Sequence, residues 1–459
     1  MPGERYEEAG LIVVGASLAG LVTAITAADH GHRVVLVERS KDLGGLAATS
    51  AETIAAAGTR FQRVADVVDD TDRLVADLAA SGCQPGDPEV VRAIVDQGAG
   101  LVEWLADRCG AQISLQSTTP MGHHSIARLH AVGDQGGASL ITVLARAASH
   151  HTHVRVRSST EIDRLTPGDD GSVTGVALRP DRRGATMLKG AVVLACGGFA
   201  GDDVLVAQHC PEVKDLPYLG FAGAKGDAVR LAAPLGAAIR HGSACVVTPL
   251  LAQPSHLAVT RTVIDQGGIL VDQRGRRFTD ESQGSLPLAL AVRAQPGRVA
   301  YLLFDERIAA AVGAHDPFFA RVVLPRTSRR ASSTKMLAKQ LELSEAEVGQ
   351  TLEVHRGTPE GQLDPFGRRA SSGGLGEPLY GIRVTGSRRT TLGGLAVDAK
   401  ARVIDGSGNA IGGLYAVGGA AAGIDDRGGD GSVAAVDALA GLALARLAAL
   451  GLGAVADEA

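Results

Sequence analysis

The chain opens on an unbroken apolar run, Leu11-Ile-Val-Val14, then small residues, an Ala-rich stretch, and a second apolar run, Val34-Val-Leu-Val37, closed by Glu38. Short continuous apolar runs bounded by turn residues suit strands buried on both faces, and the Ala-rich stretch between them suits a helix. Residues 11–38 therefore predict one βαβ unit. Residues 60–110 and 138–149 read as helical. Val154-Arg-Val-Arg157 and Val173–Leu178 alternate, which predicts antiparallel strands. Lys189–Phe199 predicts a buried strand ending in a second glycine turn. From about residue 240 to 368 the texture changes: strand signals at Gly268-Ile-Leu-Val271 and Ala300–Phe304 mix with helices, and Thr334–Gln350 predicts one helix. After the polar stretch ending at Arg368, Gly393–Asp398 and Gly413–Gly418 lead through a Gly/Asp turn to a long buried helix over 433–450. That last strand-turn-helix reads as the chain returning to the sheet it began. The first and last thirds then make one domain, with the middle inserted.

The βαβ unit carries chemistry. Gly15 permits a tight turn, Gly20 lets the helix pack close to the strand, and the helix N-terminus points free N–H groups at a pyrophosphate. Glu38, 23 residues after Gly15, is placed to hydrogen-bond ribose hydroxyls. Ser17 stands where the middle glycine of the fingerprint would be. The expected ligand is the ADP part of a dinucleotide. Past Leu43-Gly44-Gly45, the small residues and the hydroxyls Thr49 and Ser50 suit close passage of a phosphate or flavin. The chain holds no second such fingerprint, so a dedicated nicotinamide domain is not expected.

Composition narrows the classes. At 459 residues, 45% hydrophobic and 21% charged, the chain is globular, and two domains are expected. Aromatics are only 3%, so a pocket must be lined by aliphatic side chains and backbone. The net charge of −5 argues against nucleic acid as a partner. The five cysteines form no CxxC pair, against a zinc site, a cluster or a disulfide framework, and no metal is expected. The charged start, Met-Pro-Gly-Glu-Arg, reads as no signal peptide, and no apolar run is long enough to span a bilayer. Cytoplasmic location is expected.

The order of these segments resembles the fumarate reductase / succinate dehydrogenase flavoprotein superfamily, including its 3-ketosteroid dehydrogenase branch. The resemblance runs along nearly the whole chain, on Val13–Gly20, Gly44-Gly45, Ala195-Cys-Gly-Gly-Phe199, Gly226-Asp227, Gly268–Phe278, Gly393-Gly-Leu395 and Gly413–Gly418. It implies an α/β fold: a Rossmann-like FAD-binding domain, 1–239 with 369–459, and an inserted α+β capping domain, 240–368. It implies cofactor contacts from Gly15, Ser17, Leu18, Ala19, Gly20, Glu38, Arg39, Gly44, Gly45, Thr49, Ser50, Ile162, Ala195, Cys196, Gly197, Asp227, Gly418, Gly419, Ser432 and Val433. Covalent members carry a histidine just after the glycine pair; here Ala47, Ala48, Thr49 and Ser50 follow, and the next histidine is His123, which implies non-covalent FAD. Many relatives place a glutamate or asparagine directly after the glycine of Leu-Tyr-Ala-x-Gly, where this chain has Gly419.

The family's dicarboxylate chemistry is largely missing. Ser285 stands at the position of the proton-donating arginine, Thr390 at a clamp histidine and Asp426 at a clamp arginine, with Arg427 one step later. The tyrosines of the ketosteroid branch are absent too, at Ser285 and Arg427. Three donors remain: the Ser285 hydroxyl, the Arg427 guanidinium and the Gly431 N–H; Tyr218 is a further candidate proton carrier. Each has a plainer reading: Ser285 as pocket lining, Arg427 paired with Asp425, Asp426 and Asp430, Tyr218 as packing. His123, His124 and His130, around Arg128, are either near the substrate or solvated on a polar loop. The function expected is an FAD-dependent oxidoreductase acting on a CH–CH bond next to a carbonyl of a small organic substrate, not fumarate or succinate. The expected partner is a small-molecule substrate, and the external electron acceptor or donor is not named by the sequence. A flavin oxidase using oxygen, or a non-catalytic FAD-binding protein, are the alternatives.

Overall fold

The computed structural model describes residues 5–45, 53–81, 86–133, 136–180, 184–316, 318–370, 373–424 and 433–453. The chain divides into two compact units. The first comprises Met1–Glu212, Gly220–Cys245 and Thr390–Ala459; the second comprises Val213–Leu219 and Val246–Arg389. The second unit thus extends past the expected 240–368 at its C-terminal side and also takes the seven-residue excursion Val213–Leu219.

In the first unit, β1 (Arg5–Val14), α1 (Leu18–Asp29) and β2 (Val34–Val37) form the expected βαβ unit. β1 lies parallel to β2 on one side and to Thr186–Leu194 on the other. The strand order across the sheet is Arg402–Ile404, Ala410–Ala416, Thr186–Leu194, β1, β2, Val154–Arg157. Ala410–Ala416 pairs parallel with Thr186–Leu194, so the C-terminal segment does return to the first sheet. Val154–Arg157 is a correction: it pairs parallel with β2, not antiparallel. Alternation marks one exposed face and says nothing of strand direction. Val173–Leu178 is antiparallel to both its neighbours, Ile162–Pro167 and Thr186–Leu194.

Leu11, Ile12, Val13, Leu36, Val192 and Leu194 are fully buried, and α1 packs beside the C-terminal helix Val436–Leu450. The Thr23 hydroxyl donates to Ala19 O at 2.9 Å and to Ala445 O at 3.3 Å, tying the two helices together. The described residues of 60–110 form four helices.

In the second unit, Ile269–Val271, Ala300–Asp305 and Leu379–Thr391 pair antiparallel in one sheet, with Arg329–Ala331 antiparallel to Leu379–Thr391 and Cys245–Ala252 beside it. Phe304 stacks on Tyr380 with centroids 5.3 Å apart. The single helix expected over Thr334–Gln350 is two, Thr334–Leu341 and Glu345–Gly357. Glu342 turns left-handed (φ 58°) and ends the first, and the Ser344 hydroxyl caps the second by accepting Glu347 N–H. Among the described residues no helix is long and apolar enough to cross a membrane.

Candidate functional site

The parallel strands of the first unit end together, and the site is built where they end. Gly15 follows β1 with φ 104°, and its N–H donates to Val37 O at 2.8 Å. A Cβ there would lie 2.6 Å from Ala195 O, so both conformation and space demand glycine. Ser17 caps α1: its hydroxyl accepts Gly20 N–H at 3.3 Å and donates to Ala195 O at 2.9 Å. The serine at the fingerprint's middle position thus joins the helix start to the neighbouring strand. A Cβ on Gly20 would meet Gly15 O at 2.0 Å, which explains the third fingerprint position as packing.

Glu38 closes the turn from the other side. One carboxylate oxygen accepts Ala16 N–H and the other Ser40 N–H, each at 2.8 Å. Gly44 N–H donates to Ala16 O at 2.8 Å, bringing the glycine pair over the same turn. Arg39 reaches Asp227 at 3.0 Å and donates to Gly223 O.

These elements surround a cavity of about 660 Å³, within the range of cofactor pockets. Charged groups line it around β2 and Ile162–Pro167: Glu38, Arg39, Glu161, Asp163, Arg179, Asp227 and Arg230. The facing wall comes from residues 390–392, 418–423 and the C-terminal helix. Its polar side chains, among the described lining residues, are Thr390, Thr391 and Asp437. Glycine keeps that wall close: a Cβ on Gly418 would lie 2.9 Å from Ala19 Cβ, and one on Gly441 would lie 3.2 Å from Gly418 Cα. Burial, with the nearby Asp227 carboxylate, pushes the Cys196 thiol up to about 12, so this lining thiol stays protonated at neutral pH.

A groove at the carboxyl ends of parallel strands, with a free helix N-terminus and an acid one strand over, is the form of a dinucleotide site. The FAD binding domain family matches residues 10–431. The chain belongs to this family. Its relatives include the NADH:fumarate oxidoreductase of Klebsiella pneumoniae, 30% identical over 420 residues, covering 90% of this chain and 44% of that protein. The chain thus spans less than half the length of that relative. The vinyl phenol reductase of Lactiplantibacillus plantarum is 26% identical, covering 92% of this chain and 91% of that protein. Among solved structures, the open conformation of a flavocytochrome c3 fumarate reductase matches with TM-score 0.87 and 25% identity, over 97% of this chain and 78% of that one. A 3-ketosteroid-Δ4-(5α)-dehydrogenase from Rhodococcus jostii RHA1 shares the fold, with TM-score 0.72 and 23% identity over 97% of this chain and 96% of that one. These relatives are FAD-dependent oxidoreductases.

Of the residues expected to hold FAD, Gly15, Ser17, Leu18, Ala19, Glu38, Arg39, Gly44, Gly45, Ile162, Ala195, Cys196, Gly197, Asp227, Gly418 and Gly419 line this cavity. Two stand elsewhere: Gly20 packs against the Gly15 turn, and Val433 is 1% exposed in the core of the first unit. Thr49, Ser50, Arg427, Gly431 and Ser432 lie outside the described residues. Arg230, Phe221, Gly223, Thr391 and Asp437 line the cavity without having been singled out. The Asp227 helix signals Arg230, one turn on; the others follow only from three-dimensional packing.

Ser285 and Tyr218 belong to the second unit. Ser285 is half-buried at the first turn of the helix Ser285–Arg293. Tyr218 sits in the excursion that Arg388 fastens: its guanidinium donates to Lys214 O and Leu216 O, and its backbone bonds Pro217 O and Leu219 N–H.

Of the histidines near Arg128, His124 and His130 are tied into the buried frame, and His123 is exposed. Arg128 is fully buried, bidentate to Asp69 at 2.8 and 2.9 Å and bonded to Asp77. His124 sits between Arg128 (3.3 Å) and Ala434 O (2.8 Å), and His130 between Thr59 Oγ1 (2.8 Å) and Arg128 O (2.9 Å). Burial lowers the pKa of both, so both are neutral imidazoles.

Proposed function

We propose that the chain is a flavoprotein oxidoreductase that holds FAD non-covalently in the cavity of its first unit and acts on a carbon–carbon bond next to a carbonyl. The observation that carries this is the Gly15–Ser17–Glu38 turn at the mouth of a 660 Å³ cavity, in a chain of the FAD binding domain family. The residues fit the group. Backbone N–H groups at the start of α1 suit a diphosphate, Glu38 suits ribose hydroxyls, and the Gly418–Gly419 wall leaves room for a flat ring. Bound flavin supplies hydride transfer. The chain's own part is to orient the cofactor, to exclude water with aliphatic walls, and to offer a face whose one charged side chain among the described lining residues is Asp437.

Fumarate and vinyl phenol, named in the relatives, share a conjugated C=C bond, next to a carbonyl in fumarate and to an aromatic ring in vinyl phenol, and differ in charge. The bond type is therefore a better guide to this chain than the dicarboxylate. Ser285, Thr390 and Asp426 stand where the resemblance places a cationic donor, a titratable clamp and a second cation. Each charge-assisted bond to a carboxylate contributes about 1.5–3 kcal/mol, so their loss favours an uncharged or mono-anionic substrate over fumarate or succinate.

The test is direct. The purified protein should be yellow, and acid or heat should release its flavin into the supernatant, because no histidine stands between Gly45 and His123. Flavin pelleting with the chain would mean a covalent link. Photoreduced protein should be reoxidised by a panel of α,β-unsaturated carbonyl compounds faster than by air or by fumarate. Fast reoxidation by air alone would make it an oxidase, and robust fumarate turnover would overturn the substrate reading.

A further inference from the structure

We propose that His124 is a positioning residue: as a neutral ring it latches the start of the helix Val436–Leu450, which lines the cofactor cavity, and its protonation releases that latch and weakens cofactor binding. The proposal rests on the FAD reading above for its ligand and on the frame of the first unit for its mechanism.

The partners of the ring settle which nitrogen carries the proton. Nε2 lies 2.8 Å from Ala434 O, and a carbonyl oxygen only accepts, so Nε2–H donates. Nδ1 lies 3.3 Å from Arg128 Nη1, and a guanidinium only donates, so Nδ1 accepts. One neutral tautomer meets both demands, and the protonated ring does not. A proton on Nδ1 would face a cation that is held in place. Arg128 is fully buried, bidentate to Asp69 at 2.8 and 2.9 Å and bonded to Asp77. The same Asp77 oxygen also accepts the Ser125 N–H at 2.8 Å and the Ser125 hydroxyl at 3.0 Å. The ring must therefore give way, and its bond to Ala434 O goes with it. Burial, with the Arg128 charge, holds the ring's pKa below the ordinary 6.5, against the bond to Ala434 O and the facing carboxylates of Asp77 and Asp69.

The bond matters because of what it holds. Ala435 is left-handed (φ 61°), a costly conformation for alanine that persists only where its surroundings impose it. Bonds from other segments do so: Ala434 N–H donates to Gly122 O at 2.9 Å, Ala55 N–H donates to Ala435 O at 3.3 Å, and the His124 ring donates to Ala434 O. Of these, the last alone involves a side chain that titrates. Gly122 lies tight on the same residue, since a Cβ there would lie 2.4 Å from Ala434 Cβ. The helix that begins here supplies Ala438, Ala440, Gly441, Leu442 and Leu444 to the cavity wall, and a Cβ on Gly441 would lie 3.2 Å from Gly418 Cα. A wall packed that closely moves with the end of its helix, so loosening residues 434–436 costs the cavity its fit to the cofactor.

The experiment titrates the full-length chain, freed of flavin by dialysis, with FAD at about pH 7.5 and about pH 5.5, a window above the ordinary carboxylate range. The FAD-bound form needs a neutral His124 and the loosened form does not, so protons compete with FAD below about pH 6.5. The wild-type Kd should rise about threefold or more across the window, and by no more than about tenfold per pH unit for one proton. His124→Gln, whose amide donates to Ala434 O and accepts from Arg128 without titrating, should bind FAD within about threefold of wild type at the higher pH and hold that Kd at the lower. His124→Ala should bind FAD more weakly at both. In the flavin-free chain, hydrogen exchange of peptides spanning 434–439, corrected for the intrinsic effect of pH, should quicken at the lower pH in wild type and not in His124→Gln. A wild-type Kd that stays flat overturns the proposal, as does a His124→Gln variant that keeps the wild-type slope. A wild-type chain that takes up no FAD while its exchange still switches with pH overturns the FAD reading and upholds the latch.

Discussion

The two units both bury ions, and they use them differently. In the second unit Arg277, Glu281, Arg368 and Asp364 form a closed network: Glu281 accepts from Arg277 at 2.5 and 2.9 Å and from Arg368 at 3.2 Å, and Asp364 takes Arg277 at 2.6 Å. Leu270 N–H fills the same Glu281 carboxylate at 2.9 Å. In the first unit the corresponding cluster, Arg128 with Asp69 and Asp77, lies off the cavity wall but fastens the start of the helix that carries Asp437. The cavity is lined instead by small side chains, backbone and carboxylates held at its rim. Buried charge here orders the frame, while the cavity proposed to hold the cofactor is lined by backbone, glycine and partly exposed charged side chains.

The comparison can be broken most sharply at Glu281. Glu281→Ala leaves Arg277 and Arg368 without their shared anion, and destabilisation of about 3–5 kcal/mol is expected in denaturant melts, with the folded fraction still holding FAD. Loss of flavin from well-folded protein would show that the network serves the cofactor as well.

Glu38 tests the first unit at its rim. Glu38→Ala should weaken FAD binding by about 1–3 kcal/mol and also lower the melting temperature of the flavin-free chain, because Ala16 and Ser40 N–H lose their acceptor. A variant that loses affinity with an unchanged melt would confine Glu38 to the ligand. Arg39, a third exposed, is expected to contribute less. Arg39→Ala should raise the Kd for FAD no more than about fivefold, consistent with a partly solvated pair.

The smallest effect near neutral pH belongs to His355. Burial, then the charges of Arg277 and Arg368, push its pKa down from 6.5 to about 4. The unfolded chain binds the proton first, so the stability this neutral ring contributes is complete above about pH 6.5 and is lost as pH falls toward 4. His355→Asn should flatten the stability profile across that window. An unaltered slope would place the acid sensitivity elsewhere, with His124 and His130 the next residues to replace.

The sequence made the βαβ unit, the glycine pair and the returning C-terminal strand legible because each is local: a turn residue, an apolar run and an acid within forty residues. What stayed hidden depends on partners far apart in sequence. His124 and His130 read as either near the substrate or solvated on a polar loop, and neither reading survives once Asp69, Asp77, Thr59 and Ala434 come beside them. Val154–Arg157 shows its pleat but not its direction. Asp437 lines the cavity from a helix that starts after a left-handed Ala435, a conformation that no pattern of apolar positions announces. Glu342 breaks a helix for the same kind of reason, although Ser344 three residues before Glu347 is a capping signal that can be read.

One consequence concerns time. Gly15 and Gly418 face each other across one pocket through Ala19, yet 403 residues separate them in the chain. A ribosome working at about 5–20 residues per second needs about 20–80 s to pass from one to the other. Throughout that interval the nucleotide turn exists without its opposite wall. A cofactor that needs both walls can therefore be held only after residue 418 has been made, so loading follows synthesis of nearly all of the residues between the two glycines.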